Sequence, residues 1–476
     1  MRPNLAACLA AVAIASALAA PAAAQTPNPA PAAALSQHDQ LARAILKELV
    51  EINTTDSVGN TTTAAEAMAA RLKAAGFTDA DVIVLGPNAR KGNLVARLRG
   101  RGTGKPILLL AHLDVVEARK QDWSPDLDPF VFTERGGFFY GRGSSDDKAQ
   151  AAIWIANFIR FKQEGWVPAR DIIVALTADE EGGSSNGVRW LLANHRDLVD
   201  AEYALNEGGG GSLKNGRAVA NEVQAAEKMY FSLVLEARNA GGHSSLPRRD
   251  NAIYGLAAAL TKLAAFEFPF ELNEVTRGYF AQMAAIETGQ TASDMRAVAA
   301  PIPDLAAAAR LAASSPTYNS MMRSTCVATI LSGGHAENAL PQLARATINC
   351  RILPGSSPRA IEQALKQAIA DDSITMTTTW EPVPSPASPL RPELMEAIRR
   401  HTAELWPSAI VLPVMATGAT DGLALRNAGI PTYGVSGIFD DVDDVRAHGR
   451  DERIGIKEFF DGREFLYRLV KTLAGS

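Results

Sequence analysis

The stretch "PILLLAHLDVV", residues 106–116, constrains the fold more than any other part of the chain. Its first half is apolar at every position. A strand apolar on both faces must be covered on both faces, which favours a parallel sheet sandwiched between helices. "GNLVARLRG" (92–100), "DIIVALTADEE" (171–181) and "EYALNEGG" (202–209) read the same way. Amphipathic helices "QLARAILKELVEI" (40–52), "TTAAEAMAARLKAAGF" (62–77) and "AQAAIWIANFIRFKQEG" (149–165) precede or separate them. Strands alternating with helices of this length predict an α/β fold with a mostly parallel sheet.

The rhythm changes near residue 227. "KMYFSLVLEARN" (228–239) alternates like a half-exposed strand, helix "NAIYGLAAALTKLAAF" (251–266) follows, and an Ala-rich helical stretch runs to about residue 315. Strands "TCVATILSG" (325–333) and "ARATINCRILP" (344–354), helix "PRAIEQALKQAIA" (358–370) and strand "SITMTTTW" (373–380) complete an α+β module. After Pro-rich "EPVPSPASPL" (381–390) the α/β pattern resumes with helix "PELMEAIRRHTAELW" (392–406) and strand "PTYGVSG" (431–437). The expected organisation is one domain from residues 38–226 and 383–476, with a second, 227–382, inserted into it.

The first 24 residues combine Arg2, an Ala/Leu/Val run and a terminal "AAA", the pattern of a cleavable secretory signal peptide. Residues 25–37 read as a flexible Pro/Ala-rich leader. Cleavage after Ala24 would remove one Arg and move the formal charge from −5 to about −6. No later apolar run approaches the roughly 20 residues needed to span a bilayer. The mature chain is therefore expected to be soluble and secreted or periplasmic. Its mildly acidic balance lacks basic blocks, which argues against nucleic acid as a partner. Cys326 and Cys350 flank Asn338 symmetrically between two strands. A cross-strand disulfide and two unpaired core thiols both fit, and the thiol reading is preferred here; a zinc site is excluded by the spacing.

Polar residues at the strand ends carry the chemistry. Residues i and i+2 of a strand share a face, so His112 and Asp114 are expected to point together from a strand's C-terminal end, where open α/β sheets bind ligands. A metal-bound histidine commonly donates its second ring N–H to a carboxylate, and H-x-D supplies that pair. Glu180 and Glu181 end another strand and Glu207 a third. Crowding such carboxylates at a buried edge is costly without a cation. Taken singly, each has a plain structural reading as a capped strand or solvated turn, and "YGRGSSDDKAQ" reads as a turn in which Ser144 or Ser145 caps a helix. The P-loop pattern is absent.

Together, H-x-D at 112–114, "GRGSSDDK", "TADEEGGS", "NEGG", "AGGHSSLP" and "HGRDERI" resemble the M20 metallopeptidases. That family includes carboxypeptidases, aminoacylases, dipeptidases and succinyl-diaminopimelate desuccinylase. The similarity is greatest to the carboxypeptidase S and Gly-X carboxypeptidase branch and runs from about residue 38 to the end. It implies a di-zinc catalytic domain, with Co2+ or Mn2+ as substitutes, and an inserted lid that can mediate homodimerisation. By this resemblance Asp146 bridges two metals, His112 and Glu207 complete one site, and Glu181 and His448 the other. Glu180 is the general base and Asp114 orients His112 without touching metal. His243 reaches a neighbouring subunit's site. Asn338 and Arg351, in an N-x-x-P…R spacing, contact substrate, and Gly418 lies in a loop lining its carboxylate pocket. Ala149 and Asn349 depart from the usual Gly and Asp without removing a ligand.

The implied activity is hydrolysis of an amide next to a free carboxylate in a small peptide. The alternative is deacylation of an N-acyl amino acid with the same residues; a non-catalytic periplasmic binding protein is the remote one. His38, His195 and His401 read as surface residues, and Trp123 as packing.

Overall fold

The computed structural model describes residues 35–379 and 382–475. The expected signal peptide and nearly all of the expected leader lie outside them. From Gln37 onward the chain forms one compact unit.

Within it, ten strands make a large mixed sheet, ordered Val82–Leu85, Asn93–Leu98, Ile172–Thr177, Ile107–His112, Tyr203–Asn206, Thr432–Gly434, Arg217–Glu227, Gly211–Lys214 and Phe439–Asp441. Ile410–Ala416 joins it by pairing with Arg217–Glu227. The four strands from Ile172–Thr177 to Thr432–Gly434 are parallel. Every residue of Ile107–His112 and Ile172–Thr177 is buried, and their side chains serve two cores in alternation. Ile107, Leu109 and Ala111 pack with Ile45, Leu49, Trp154, Phe158 and Leu466 from the long helices Gln37–Glu51, Lys148–Gln163 and Ile456–Ala474. Leu108 and Leu110 face the other way, against Val188, Leu191 and Leu425 of shorter helices. The period-two geometry of a strand explains why an unbroken apolar run is needed. The indole of Trp154 donates to the Leu110 carbonyl at 3.0 Å, tying its helix to the strand.

A second, antiparallel sheet is ordered Thr325–Gly333, Leu343–Ile352, Met229–Arg238 and Ile374–Thr378. Phe231, Leu233, Leu235 and Ala237 bury one face of it beneath helices Ala252–Ala265 and Pro358–Ile369. A single residue, Lys228, separates its first strand from Arg217–Glu227 of the large sheet. The Ala-rich region resolves into four helices between Glu274 and Met322 with their own apolar core.

The cysteine reading is corrected. Cys326 and Cys350 are direct partners across the two neighbouring strands, 4.0 Å apart at Cα, and form a disulfide. Strand register, which the spacing alone does not specify, puts them opposite each other. His401 is also corrected: it is buried, with its ring nitrogens 3.0 Å from Glu404 and 2.8 Å from the Thr472 hydroxyl. Trp123 is buried against Leu127 and Tyr140, as expected of a packing residue. Among the described residues no helix is long and apolar enough to cross a membrane.

Candidate metal centre

Three adjacent parallel strands, Ile172–Thr177, Ile107–His112 and Tyr203–Asn206, end at the same edge of the large sheet. At or just beyond their ends stand Glu180 and Glu181, His112 itself, and Glu207. The convergence follows from parallel topology, which collects the carboxyl ends of successive strands into one crevice. Asp146 comes from the turn before helix Lys148–Gln163, and His448 from the C-terminal region.

Asp146 sits at the middle. Its Oδ1 is 3.0 Å from His112 Nε2 and its Oδ2 is 3.1 Å from His448 Nε2. His112 Nε2 lies 3.5 Å from Glu207 Oε2, and His448 Nε2 lies 2.7 Å from Glu181 Oε1. The result is two triads, His112–Asp146–Glu207 and Asp146–Glu181–His448, each with ligand atoms within 4.8 Å of one another. All five residues singled out as ligands are brought together.

The donor set suits divalent ions. The Nδ1 of His112 lies 2.9 Å from the Asp114 carbonyl, so it carries the proton in the neutral ring and leaves the Nε2 lone pair aimed at the carboxylates. Imidazole nitrogen with carboxylate oxygen is an ordinary set for zinc and its neighbours. The electrostatics agree. Burial opposes a charge on His112, yet Glu207 and Asp146 hold its pKa well above the usual value. Hydrogen bonds to Asp146 and Glu181 raise His448 to about 10. Without a metal, the imidazoles must bring in the positive charge that so many carboxylates demand.

Asp114 behaves differently from expectation. The strand stops at His112, and the Asp114 carbonyl, not its carboxylate, makes the short contact with the ring. Its Oδ1 is 3.6 Å from Nδ1. The carboxylate instead accepts the backbone N–H groups of Glu180 at 3.1 Å and Glu181 at 3.0 Å. Those donors point into a buried space and would be costly to leave unpaired. Asp114 thus fixes the acidic turn as well as the histidine.

Glu180 belongs to neither triad. It lines a cleft with Glu181, Asn186, Arg189, Thr420 and Asp421. Burial, reinforced by the charge of Glu207, pushes its carboxyl upward. Arg351 crosses from the second sheet, stacks over Tyr230 and donates to the Thr417 carbonyl at 3.2 Å, beside exposed Gly418. His243 and Asn338 are not brought to the ligands. Gly242–His243 pairs with Ala339–Leu340, Ser244 donates to the Asn338 carbonyl, and both side chains are exposed.

Sequence reasoning missed three residues behind the site. Asp421 is buried, accepts from Thr177 and Asn186, and is pushed up to about 7 by burial. Arg142 and Glu452 form a buried ion pair beneath the Asp146 turn. The only signal for these two was their place inside "YGRGSSDDK" and "HGRDERI". Neither serine caps the helix after that turn: its N-cap residue is Asp147, without a side-chain bond, and the Ser145 hydroxyl goes to Glu452.

Fold and site define a metal-dependent hydrolase of the α/β class. The chain belongs to Peptidase family M20/M25/M40, whose profile matches residues 108–472. It is 26% identical over 375 residues to the Homo sapiens N-fatty-acyl-amino acid synthase/hydrolase PM20D1, covering 77% of this chain and 74% of that protein. It is 28% identical over 394 residues to the Dictyostelium discoideum "Probable carboxypeptidase S-like 2", covering 77% and 72%. Among solved structures, the M20 family metallo-carboxypeptidase Sso-CP2 from Sulfolobus solfataricus superposes with TM-score 0.65 at 17% identity, covering 90% of this chain and 98% of that one. The YXEP protein of Bacillus subtilis, described as a dinuclear metal binding peptidase from the M20 family, gives 0.58 at 11%, covering 92% and 98%. These likenesses show the same fold.

Proposed function

We propose that this chain is an exported, zinc-dependent hydrolase that cleaves an amide next to a free carboxylate, releasing the C-terminal residue of a small peptide. The observation that carries the reading is the pair of triads sharing Asp146, with Glu180 beside them and outside both. His112, Asp146 and Glu207 would hold one ion, and Asp146, Glu181 and His448 the other. Two such ions supply Lewis acidity to an attacking water and to the carbonyl oxygen it meets. Glu180, uncommitted to either triad, accepts the water's proton and returns it to the leaving amine nitrogen. Arg351, with the loop at Gly418 and with Asn338, grips the substrate carboxylate through paired guanidinium bonds. Residues 227–382 act as the lid that carries Arg351 and Asn338.

Two further parts of the reading have their own support. The Cys326–Cys350 disulfide supports an oxidising compartment, hence export. Exposed Val327, Ile330 and Leu331 on the edge strand Thr325–Gly333 support pairing with a second copy, which would carry its His243 towards the first copy's site.

Deacylation of N-acyl amino acids is the second reading, favoured by the likeness to N-fatty-acyl-amino acid synthase/hydrolase. Both substrates present an amide beside a carboxylate. The test compares kcat/KM on Gly-Leu-type dipeptides with that on N-acetyl and N-fatty-acyl amino acids, before and after exhaustive chelation. Faster turnover of dipeptides supports the first reading and faster turnover of acylated amino acids the second. Hydrolysis that survives chelation removes both.

A further inference from the structure

Asp146 and His448 belong to segments far apart in sequence, and the triad they share with Glu181 requires their close approach. What holds them there is a buried charge pair. Arg142 Nη1 lies 2.5 Å from Glu452 Oε2 across 310 residues of sequence, and both side chains are almost fully buried. The other bonds of the pair run to the ligand segments themselves. Glu452 Oε1 accepts the backbone N–H of Ser145 at 2.8 Å, the Ser145 hydroxyl at 3.1 Å and the backbone N–H of Asp146 at 3.2 Å. Its Oε2 also accepts Gly143 N–H at 3.1 Å. Arg142 Nη2 donates to the Gly449 carbonyl at 3.0 Å and the His448 carbonyl at 3.3 Å.

His448 has a left-handed backbone, φ +61°. A non-glycine residue there costs of order 1–3 kcal/mol and persists only where its surroundings over-determine it. Arg142 supplies that constraint. Glu452 does the same for the Asp146 turn, accepting four hydrogen bonds from Gly143, Ser145 and Asp146 in addition to the one from Arg142. The first triad is less dependent on the pair, because His112 ends one strand of the large sheet and Glu207 directly follows another, so that only its shared ligand Asp146 is held by Glu452. His448 has no such support, and its side chain is half exposed.

We propose that Arg142 and Glu452 are positioning residues that set the approach of His448 to Asp146 and so build the Asp146–Glu181–His448 site selectively. This rests on the two-metal reading above. A buried pair of general structural importance would, when broken, weaken the whole fold and both sites alike. A positioning pair releases one ion and keeps the other.

The experiment measures metal equivalents per chain by elemental analysis after dialysis, and affinities by calorimetry with Zn2+ added to metal-stripped protein. Wild type is expected to take up two equivalents. Glu452→Gln and the milder Arg142→Lys are expected to retain one at wild-type affinity and to bind the second about 10- to 100-fold more weakly, the usual cost of losing a partner behind a ligand. Glu227→Gln breaks an equally buried pair, Glu227–Arg426, whose carboxylate otherwise accepts from Gln224 and Thr420, neither of them a candidate ligand. It should keep both equivalents. Wild type binding only one equivalent overturns the two-metal reading and the inference together. Wild type binding two while Arg142→Lys and Glu452→Gln also bind two at unchanged affinity, or lose both in parallel, overturns the inference alone.

Discussion

Glu180 and Glu181 are neighbours in the chain with different surroundings, and Asp114 is the reason they can differ. Its carboxylate clamps both backbone N–H groups, fixing the turn while the two side chains diverge. Glu181 turns to His448, and Glu180 to the cleft with Thr420 and Asp421. If Glu180 serves only to move a proton, Glu180→Gln should lower kcat about 100- to 10,000-fold while metal content and KM stay near wild type. Near-normal turnover with metal bound would place the base elsewhere. The candidate ligands were legible in the sequence through polar strand ends at His112, Glu181 and Glu207 taken together with the resemblance carried by "GRGSSDDK" and "HGRDERI", which singled out Asp146 and His448. The side chains behind them were not. The value of Glu452 depends on Arg142, far away in sequence, and nothing local to either reveals the other.

At the scale of elements, the parallel strands could be read because burial on both faces leaves an unbroken apolar run. Arg217–Glu227 could not: "RAVANEVQAAE" mixes polar and small residues, and its burial comes from neighbours on both sides. The disulfide escaped for the related reason that register is a property of two strands together. The junction between the sheets holds one further consequence. Lys228 is buried there, donating to the Arg323 carbonyl at 2.9 Å. Burial, helped by the nearby Arg351 cation, lowers its pKa to about 7 from the ordinary 10.5. Between those values the unfolded chain binds a proton that the folded chain lacks. Stability therefore rises with pH across the window, by up to about 1.4 kcal/mol per pH unit from this group, and below about pH 7 the contribution levels off. Lys228→Met should flatten that rise. Urea midpoints at pH 7, 8 and 9 compare the two slopes, and equal slopes would show that Lys228 does not titrate in this window.

At the scale of the whole molecule, the candidate metal centre joins the termini of separate strands to two distant turns, so metal held there would bear on global stability. Asp146, Glu181 and Glu207, with Glu180 alongside, place four carboxyl groups at one partly buried edge, where their negative charges repel one another. The folded chain without metal relieves this by protonation: burial and Glu207 raise Glu180, and carboxylates raise His112 and His448. A divalent cation held by the triads would remove the need for those protons and would bind the assembled site far better than the unfolded chain. Mass action then stabilises the fold by about 2.7 kcal/mol per site at a free-ion concentration one hundred times Kd. For a chain of this size that corresponds to roughly 3 °C in Tm for each site, taking the usual unfolding entropy per residue. Stripping metal should lower Tm by that amount or more. Zn2+, Co2+ or Mn2+ titrated back should restore it in an order that reports the preferred ion. A Tm indifferent to chelation and to all three ions would mean that the triads hold no metal in the folded protein, and that protonation alone keeps the carboxylates together.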